Sequence, residues 1–361
     1  MEKPKITIGL LVWNGAKYLP ALFESLKKQT FQNFELVVVD NGSSDGSLQI
    51  ISSNCHPREN GDLPQEVADS HFRGNDKVEC MFIQNPTNIG FSAGHNQIFA
   101  LSNSPYYLAL NQDIYLAPDC LEKLVAFVDT HPEAASVAPK LLHWNFNNNK
   151  SPSPQAENSN IDSLGVKILR NRRAVDIKNA TGYMLQVACL EVFGLSAACA
   201  LYRRSAIEHA DGLFDPDYFA YKEDVDLAYR LRSAGFKSFT LLDTTAWHDR
   251  TGADSGQSTD TAQALNKKNQ PRLVKYYSYR NHLITLFKNE YWQNLTLDFI
   301  WILWYEWKKF VYFLIFDRAV LKGLYDIWNM RKDLKIKRLK IASLRKADWR
   351  QIRQSFRLPN S

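Results

Sequence analysis

Apolar and polar residues follow two different repeats along the first half of the chain. Short apolar runs such as 5–13 and 34–40 indicate buried strands, and the stretch 18–30, with apolar residues at helical spacing, indicates an amphipathic helix. The order strand, helix, strand, helix is typical of βαβ units around a parallel sheet. We therefore expect an α/β fold, Rossmann-like, with a mostly parallel central sheet flanked by helices.

The same pattern continues to about residue 250. Further buried strands are predicted at 78–85, 105–113, 192–203 and 236–249. The stretch 163–177 predicts a hairpin. Polar segments with few apolar residues predict surface loops at 53–77, 145–160 and 251–272.

The segment 218–236 places three carboxylates at the start of an otherwise apolar helical pattern that ends at Gly235. On a helix of about 3.6 residues per turn, Asp224 falls in the middle of the apolar stripe and Glu223 at its edge. Asp226 points elsewhere and meets Arg230 four residues later, the spacing of an ordinary surface ion pair. The helix dipole favours acids in a first turn. It does not explain an inward-facing acid, because a buried unpaired charge is costly. We therefore expect Asp224 to line the wall of a cleft.

Polar side chains follow three of the predicted strands: Asp40, Asp113 and His248. Ligands of open parallel sheets bind beyond the carboxyl ends of the strands, so we expect the three to face one crevice. A carboxylate with one imidazole suits Mg²⁺ or Mn²⁺, and so few protein ligands imply that substrate phosphates complete the shell. The alternatives are that Asp113 caps the next helix and that His248 is a satisfied surface residue.

Charge and cysteine content narrow the class of protein. Residues 331–361 carry eleven Lys or Arg and two Asp, a net +9, so the other 330 residues of this +6 chain carry a net −3. A body without basic excess argues against a nucleic-acid-binding protein. Five scattered cysteines without a CxxC motif predict reduced thiols in a cytosol-facing protein. The N-terminus lacks the pattern of a signal peptide.

Five segments, in this order, resemble family-2 inverting glycosyltransferases with the GT-A fold, and more closely the rhamnosyltransferase-like members that build bacterial cell-surface polysaccharides. They are "VWNGAKYLPALFESLKKQTFQNFELVVVDNGSSDGS", "NPTNIGFSAGHNQIF", "LALNQDIYLAPDCLEKLV", "SAACALYRRSAIEHADGLFDPDYFAYKEDVDLAYRLRSAGF" and "WHDRTGAD". Together they cover roughly residues 5–290.

The resemblance implies a role for each matching residue. Asp224 would be the catalytic base, with Glu223 beside it, and Asp113 and His248 would hold Mg²⁺ or Mn²⁺. Asn111 replaces the first acid of the family's DxD-like metal motif. The donor nucleotide sugar would be bound by Asn14, Asp40, Asn88, Gly90, Asn96 and Asn111. The favoured donor is dTDP-L-rhamnose, and the acceptor would be a saccharide or a lipid-linked saccharide.

Residues 291–316 contain eleven aromatic side chains, but charged residues interrupt every long apolar stretch. We expect amphipathic helices at a membrane surface, with the basic tail facing anionic lipid. The alternative is a helical subdomain packed on the body. The predicted organisation is a GT-A domain at 1–290, with a nucleotide-sugar half to about 115 and an acceptor half after it. An extension at 291–361 would hold the protein peripherally on the cytoplasmic face of the bacterial inner membrane.

Two other functions fit an α/β sheet with a metal. A sugar nucleotidyltransferase needs a Gly-rich basic loop near the N-terminus, and "LLVWNGAKYLP" has one Gly and one Lys. A non-catalytic membrane-bound scaffold would keep the fold without turnover, and the presence of Asp40, Asp113, Asp224 and His248 argues against it.

Overall fold

The computed structural model describes residues 3–55, 80–147, 160–179, 186–250 and 270–359, together with Pro152. Most of the three predicted loops at 53–77, 145–160 and 251–272 lies outside these residues.

The centre of the fold is one mixed sheet. Its main path runs in the order β10, β12, β6, β11, β4, β1, β2, β3. The strands on this path are β1 (Ile6–Val12), β2 (Phe34–Asp40), β3 (Cys80–Gln84), β4 (Tyr106–Asn111), β6 (Ala134–His143), β10 (Cys189–Val192), β11 (Cys199–Arg203) and β12 (Lys237–His248). Two short strands, β5 (Ile114–Leu116) and β7 (Ile161–Ser163), pair with β12 and β6.

Parallel pairing joins β4, β1, β2 and β3, and also β6 and β12. β11 lies between these two groups and is antiparallel to both of its neighbours. β6 and β12 therefore run in the same direction as β4, so β12 ends at the same edge of the sheet as β4. This confirms the predicted α/β fold. It also adds the antiparallel β11, which no local pattern distinguishes from a parallel strand.

Helices cover both faces of the sheet. α1 (Leu19–Lys27) and α4 (Cys120–Thr130) bury their apolar stripes on one face, together with α2 (Ser47–Asn54). On the other face lie α3 (Phe91–Leu101), α5 (Arg204–His209) and α6 (Glu223–Ser233). Strands such as β2 are almost continuously buried because both faces of the sheet are covered. The predicted hairpin at 163–177 forms as β8 (Val166–Ile168) and β9 (Ala174–Asp176), which pair antiparallel.

The prediction that all cysteines are reduced is wrong for one pair. Cys55, after α2, and Cys80, at the start of β3, are joined by a disulfide with their Cα atoms 5.2 Å apart. The fold brings these two element ends together, within the separation that a disulfide spans. Cys120, Cys189 and Cys199 are free thiols.

Among the described residues that follow β12, the chain forms five α-helices. They are α7 (Arg272–Asn289), α8 (Trp292–Leu297), α9 (Phe299–Phe316), α10 (Lys322–Ser343) and α11 (Trp349–Ser355). They pack on the body: Arg172, completely buried, pairs with Glu290 and with Asp298. The predicted domain boundary at residue 290 is thus crossed by the buried ion pair of Arg172 with Asp298. Within the described ranges, no helix combines the length and apolar character that crossing a bilayer requires.

Candidate active site

The loops after β1 and β2 are tied together at the carboxyl edge of the sheet. Asn14 adopts a left-handed φ of 52°, which Asn tolerates better than most residues. Its backbone N–H donates to Ser43 Oγ at 3.0 Å, and its Oδ1 accepts the Ser44 N–H at 2.8 Å. The side chain predicted to contact the nucleotide therefore also fixes the second loop against the first.

Asp40 ends β2 and is completely buried. Its Oδ2 accepts the backbone N–H of Ser43 at 3.2 Å. Its Oδ1 is buried and has no hydrogen-bond partner within the part of the chain that the structure describes. A buried carboxylate oxygen left without a donor is costly. An N–H of a base or a ribose hydroxyl would satisfy it, which fits the predicted role in nucleotide binding.

Asn88 and Gly90 shape the start of α3. Asn88 Oδ1 accepts the Gly90 N–H at 2.8 Å and the Asn41 side-chain N–H at 2.9 Å. Gly90 has a φ of 92°, and a Cβ there would lie 2.6 Å from a ring carbon of Phe219. The positive φ and the lack of space for a Cβ both require glycine at this position. The carbonyl of Phe219 accepts the Ser92 N–H at 3.1 Å, so α3 begins directly against the loop that precedes α6.

The other two predicted donor-site asparagines lie in different environments. Asn96 uses both ends of its amide on the backbone of Phe214, at 2.6 and 3.1 Å. Its visible contacts are structural, and its role in the donor pocket stays a prediction. Asn111 is the last residue of β4, two residues before Asp113, and is only partly buried.

Asp113 and His248 come together at this edge, with His248 Nε2 3.6 Å from Asp113 Oδ1. The other ring nitrogen, Nδ1, lies 2.8 Å from Oδ2 of the completely buried Asp162. Burial alone would lower the pKa of His248, but the carboxylates of Asp113 and Asp162 raise this pKa to about 9. Asp162 orients the imidazole, an arrangement common among metal-binding histidines.

This donor set fits a hard divalent cation that also binds substrate. Asp113 offers an oxygen at the correct edge of the sheet, and His248 offers a nitrogen once a cation displaces its proton. Across the described residues, no group of three or more His, Cys, Asp or Glu side chains is arranged to hold an ion. A cation between Asp113 and His248 would therefore draw its remaining ligands from water and phosphate oxygens, as Mg²⁺ usually does.

The loop before α6 has an unusual backbone. Phe219, Tyr221 and Lys222 all have left-handed φ values, of 58°, 70° and 72°. Non-glycine residues held in such conformations cost on the order of 1–3 kcal/mol each and persist only when surrounding contacts enforce them. We call residues 218–222 the base loop, because α6 begins immediately after it with Glu223 and Asp224.

Glu223 and Asp224 form an acidic pair at the start of α6. Glu223 is buried, and burial together with the charge of Asp224 raises the pKa of Glu223 to about 8. The pKa of Asp224 is also raised, because the effect of burial outweighs the lowering effect of the charges of Lys222 and Arg250. Asp224 is only partly buried, and its Oδ1 accepts the Val225 N–H at 2.7 Å. The pair therefore holds a proton on Glu223 near neutral pH and leaves Asp224 able to act as a base.

Arg250 connects this pair to the candidate cation site. Its Nη1 lies 2.9 Å from Asp176 Oδ2, and its Nε lies 3.4 Å from Asp162 Oδ1. Asp162 in turn holds His248. The charge of Arg250 also lowers the pKa of Asp224.

The interpretation of Asp226 as part of a surface ion pair is wrong. Asp226 is completely buried, and its Oδ2 accepts from Arg230 Nε at 2.9 Å. Its Oδ1 lies 2.9 Å from Lys288 Nζ and also accepts from Tyr218 Oη at 3.1 Å. The helical wheel assumed one buried face. α6 is covered on one side by the sheet and on another by α7, so the face that seemed exposed is a second interface.

Comparison with known proteins decides the family. The model of "Glycosyl transferase family 2" matches residues 7–210, more than half of the chain. The chain belongs to glycosyl transferase family 2. The family match includes Asp40 and Asp113 and ends before Asp224 and His248. The resemblance stated from the sequence is thus confirmed, and the roles of the site residues stay predictions.

Individual relatives of this family-2 chain are distant. An uncharacterized glycosyltransferase of Haemophilus influenzae is 31% identical over 128 residues, 36% of this chain and 44% of the relative. The putative glycosyltransferase EpsE of Bacillus subtilis is 27% identical over 139 residues, 38% of this chain and also 44% of the relative. The O-antigen chain rhamnosyltransferase RfbN of Salmonella typhimurium is 23% identical over 246 residues, 64% of this chain and 62% of RfbN. The matches to the first two relatives span less than half of their length.

The fold of this family-2 protein also matches a solved structure. The crystal structure of GalNAc-T7 with UDP, GalNAc and Mn²⁺ aligns with a TM-score of 0.53 at 12% identity, covering 78% of this chain and 47% of that one. At this identity the likeness shows the shared fold alone.

Sequence reasoning missed three residues that organise the site. Asp162 and Arg250 lie in or beside segments interpreted as polar loops, where a single acid or base gives no signal. Asn281 in α7 did carry a signal. Polar residues recur at helical spacing, and this polar stripe faces the body: Asn281, Thr285, Lys288 and Asn289 are all buried.

Proposed function

We propose that this protein is an inverting glycosyltransferase that moves a sugar from a nucleoside diphosphate to a hydroxyl of a saccharide acceptor. The observation that supports this most directly is the close approach of Asp113 to His248. Arg250, which contacts Asp162 beside His248, also acts through its charge on the pKa of Asp224. Membership in glycosyl transferase family 2 supports the same reaction class.

The reaction would be a single in-line displacement at the anomeric carbon. Asp224 takes the proton of the acceptor hydroxyl as that oxygen attacks, and general-base help of this kind contributes about 10²- to 10⁴-fold. Glu223 keeps its own proton at neutral pH, since its pKa is raised to about 8, and so does not compete for the acceptor proton. Asp113 and His248 would hold Mg²⁺ or Mn²⁺, which would supply neutralising charge to the diphosphate leaving group.

For the donor we favour dTDP-L-rhamnose. The support is the similarity to RfbN, an O-antigen chain rhamnosyltransferase, over 64% of this chain. The orphan acceptor on Asp40 suits the nucleoside part of any such donor. The acceptor would be a saccharide or a lipid-linked saccharide.

We also propose that the protein binds the cytoplasmic face of the bacterial inner membrane through α9. This helix contacts the body with a narrow stripe that includes Ile302 and Phe313, and its other faces are exposed. The exposed apolar side chains include Trp301, Leu303, Trp304, Trp307, Ile315 and Phe316. Tryptophan favours the headgroup level of bilayers, and the net +9 of residues 331–361 complements anionic lipid. We favour anionic lipid over a second copy of this chain, because two copies would bring two basic C-terminal regions together.

The test is a release assay with purified protein, Mn²⁺ and a panel of nucleotide sugars that includes dTDP-L-rhamnose. Free nucleoside diphosphate that depends on an added rhamnan or lipid-linked saccharide supports transfer, and NMR of the product reports the anomeric configuration. Release of pyrophosphate from a nucleoside triphosphate and a sugar phosphate would instead show a nucleotidyltransferase. Absence of both reactions would favour a scaffold.

A further inference from the structure

The base loop is enclosed between two elements distant in the chain. On one side, Gly90 and the Ser92 N–H at the start of α3 contact Phe219. On the other side, the ring of Phe219 stacks on Tyr277 of α7, with ring centres 5.0 Å apart and planes 12° apart. The left-handed backbone of the loop is therefore enforced from outside the loop.

Asn281 of α7 makes the most direct contact with that backbone. Its side-chain nitrogen donates to the carbonyl oxygens of Tyr218, Ala220 and Tyr221, at 2.8, 2.9 and 2.8 Å. Two N–H bonds are thus shared among three carbonyls on a stretch of four residues. Asn281 is completely buried, so loss of its amide leaves these buried carbonyl oxygens without their donor.

The orientation of the Asn281 amide is itself fixed. Its Oδ1 accepts from Arg280 Nε at 3.0 Å, and Arg280 Nη2 donates to the carbonyl of Asp217. A reversed amide would place its own oxygen against the backbone carbonyl oxygens, and two acceptors cannot form a hydrogen bond. Only the nitrogen end of the amide can therefore face the carbonyl oxygens. Arg280 and Asn281 together hold the backbone from Asp217 to Tyr221.

We propose that Asn281 is a positioning residue for glycosyl transfer. By holding the base loop in its left-handed conformation, the amide sets where Glu223 and Asp224 emerge at the start of α6. Asn281 touches neither substrate nor reacting atoms in this proposal, which rests on the proposed transferase function. Misplacing a reacting group by about 1 Å can cost about 10²-fold in rate.

Asn294 of α8 provides a matched control. It is also completely buried, and its side-chain nitrogen donates to the Trp349 carbonyl at 2.9 Å, within the C-terminal helices. Asn294→Ala removes a buried amide bonded to backbone without altering the base loop. A purely structural effect should appear equally in both variants.

The experiment compares Asn281→Ala with Asn294→Ala in the full chain. We expect Asn281→Ala to lower kcat by about 10- to 100-fold, to leave the Kd for nucleoside diphosphate unchanged, and to increase hydrogen exchange at 218–226. Asn294→Ala should keep kcat and the exchange of this segment. Asn281→Ser retains one donor and should recover part of the kcat.

Three results would overturn the proposal: equal kcat in the two alanine variants, unchanged exchange at 218–226 in Asn281→Ala, or loss of the folded state in both Asn281 variants. The last would give Asn281 a purely structural role. If the wild-type protein transfers no sugar, the proposed function fails, and the exchange comparison still decides whether Asn281 controls the base loop.

Discussion

His248 Nε2 lies 3.6 Å from Asp113 Oδ1, although the two residues belong to the ends of different strands. The antiparallel pairing of β12 with β5 brings them together, because it places His248 opposite Ile114, the residue that follows Asp113. The imidazole is held from its other side by Asp162 at 2.8 Å.

We therefore expect Asp162→Asn to weaken Mn²⁺ binding by about 10- to 100-fold, since it removes the group that orients a ligand. Titration calorimetry of Mn²⁺ in the presence of nucleoside diphosphate measures this. Asp243→Asn, which replaces an exposed acid in the same strand as His248, serves as a control. Equal Mn²⁺ affinity in wild type and Asp162→Asn would remove the cation from this position.

Replacing Asp224 by Asn should abolish transfer and keep the donor bound. The amide cannot accept the hydroxyl proton, so we expect kcat to fall by at least about 10²-fold. Acceptor-dependent release of nucleoside diphosphate gives kcat, and calorimetry gives the donor Kd. Asp211→Asn, at an acid that pairs with Lys340 away from the base loop, should leave both unchanged. Normal turnover in Asp224→Asn would exclude Asp224 as the base.

Glu223 should make stability depend on pH. Its folded-state pKa of about 8 lies above the ordinary value of 4.5. The folded state thus binds the proton more tightly than the unfolded state between these values, and the stability contributed by the protonated group is lost as pH rises from about 5 to 8. In Glu223→Gln the side chain does not ionise, so the stability of this variant does not fall in this way as pH rises. We expect the variant to exceed wild type by about 2–4 kcal/mol at pH 8 and by much less at pH 5, as measured by denaturant unfolding. A pH-independent difference would contradict the raised pKa.

Removing Lys288 should destabilise the fold strongly. Lys288 is buried and contacts both Asp215 and Asp226, so Lys288→Met leaves two buried carboxylates with less compensation. Breaking a buried ion pair from one side costs about 3–5 kcal/mol. Urea unfolding measures the change. Lys28→Met, which removes an exposed pair with Glu24, should cost less than about 1 kcal/mol.

The aromatic face of α9 should determine membrane binding. Trp304 and Trp307 are exposed and stack with ring centres 5.2 Å apart. We expect wild type to float with anionic vesicles at low salt, less so at high salt, and Trp304→Ser/Trp307→Ser to float poorly while keeping transfer to a soluble acceptor. Absence of flotation with anionic vesicles at low salt would contradict membrane binding through this face.

Local patterns in the sequence were sufficient for the elements and for the edge at which chemistry would occur. Apolar runs in β1, β2 and β4 specify strands because backbone groups in a buried segment must pair with one another. The polar residues that end those strands, Asp40 and Asp113, point to a common edge because parallel strands share their direction.

Long-range packing decided what no local pattern contains. The burial of Asp226 depends on α7 covering the outer side of α6. The pairing of Asp162 with His248 depends on the register of β7 beside β6. A helical wheel separates one buried face of a helix from one exposed face. It therefore cannot predict the burial of a residue on a helix that packs on two sides.

The sequence by itself therefore determined the fold class, the family and the residue types available at the sheet edge, because these follow from periodicity and short motifs. Only the tertiary structure decided which charges are buried together, which amide holds the base loop and which aromatic face stays exposed. Those properties depend on distances between segments far apart in the chain, and the packing of the whole molecule sets these distances.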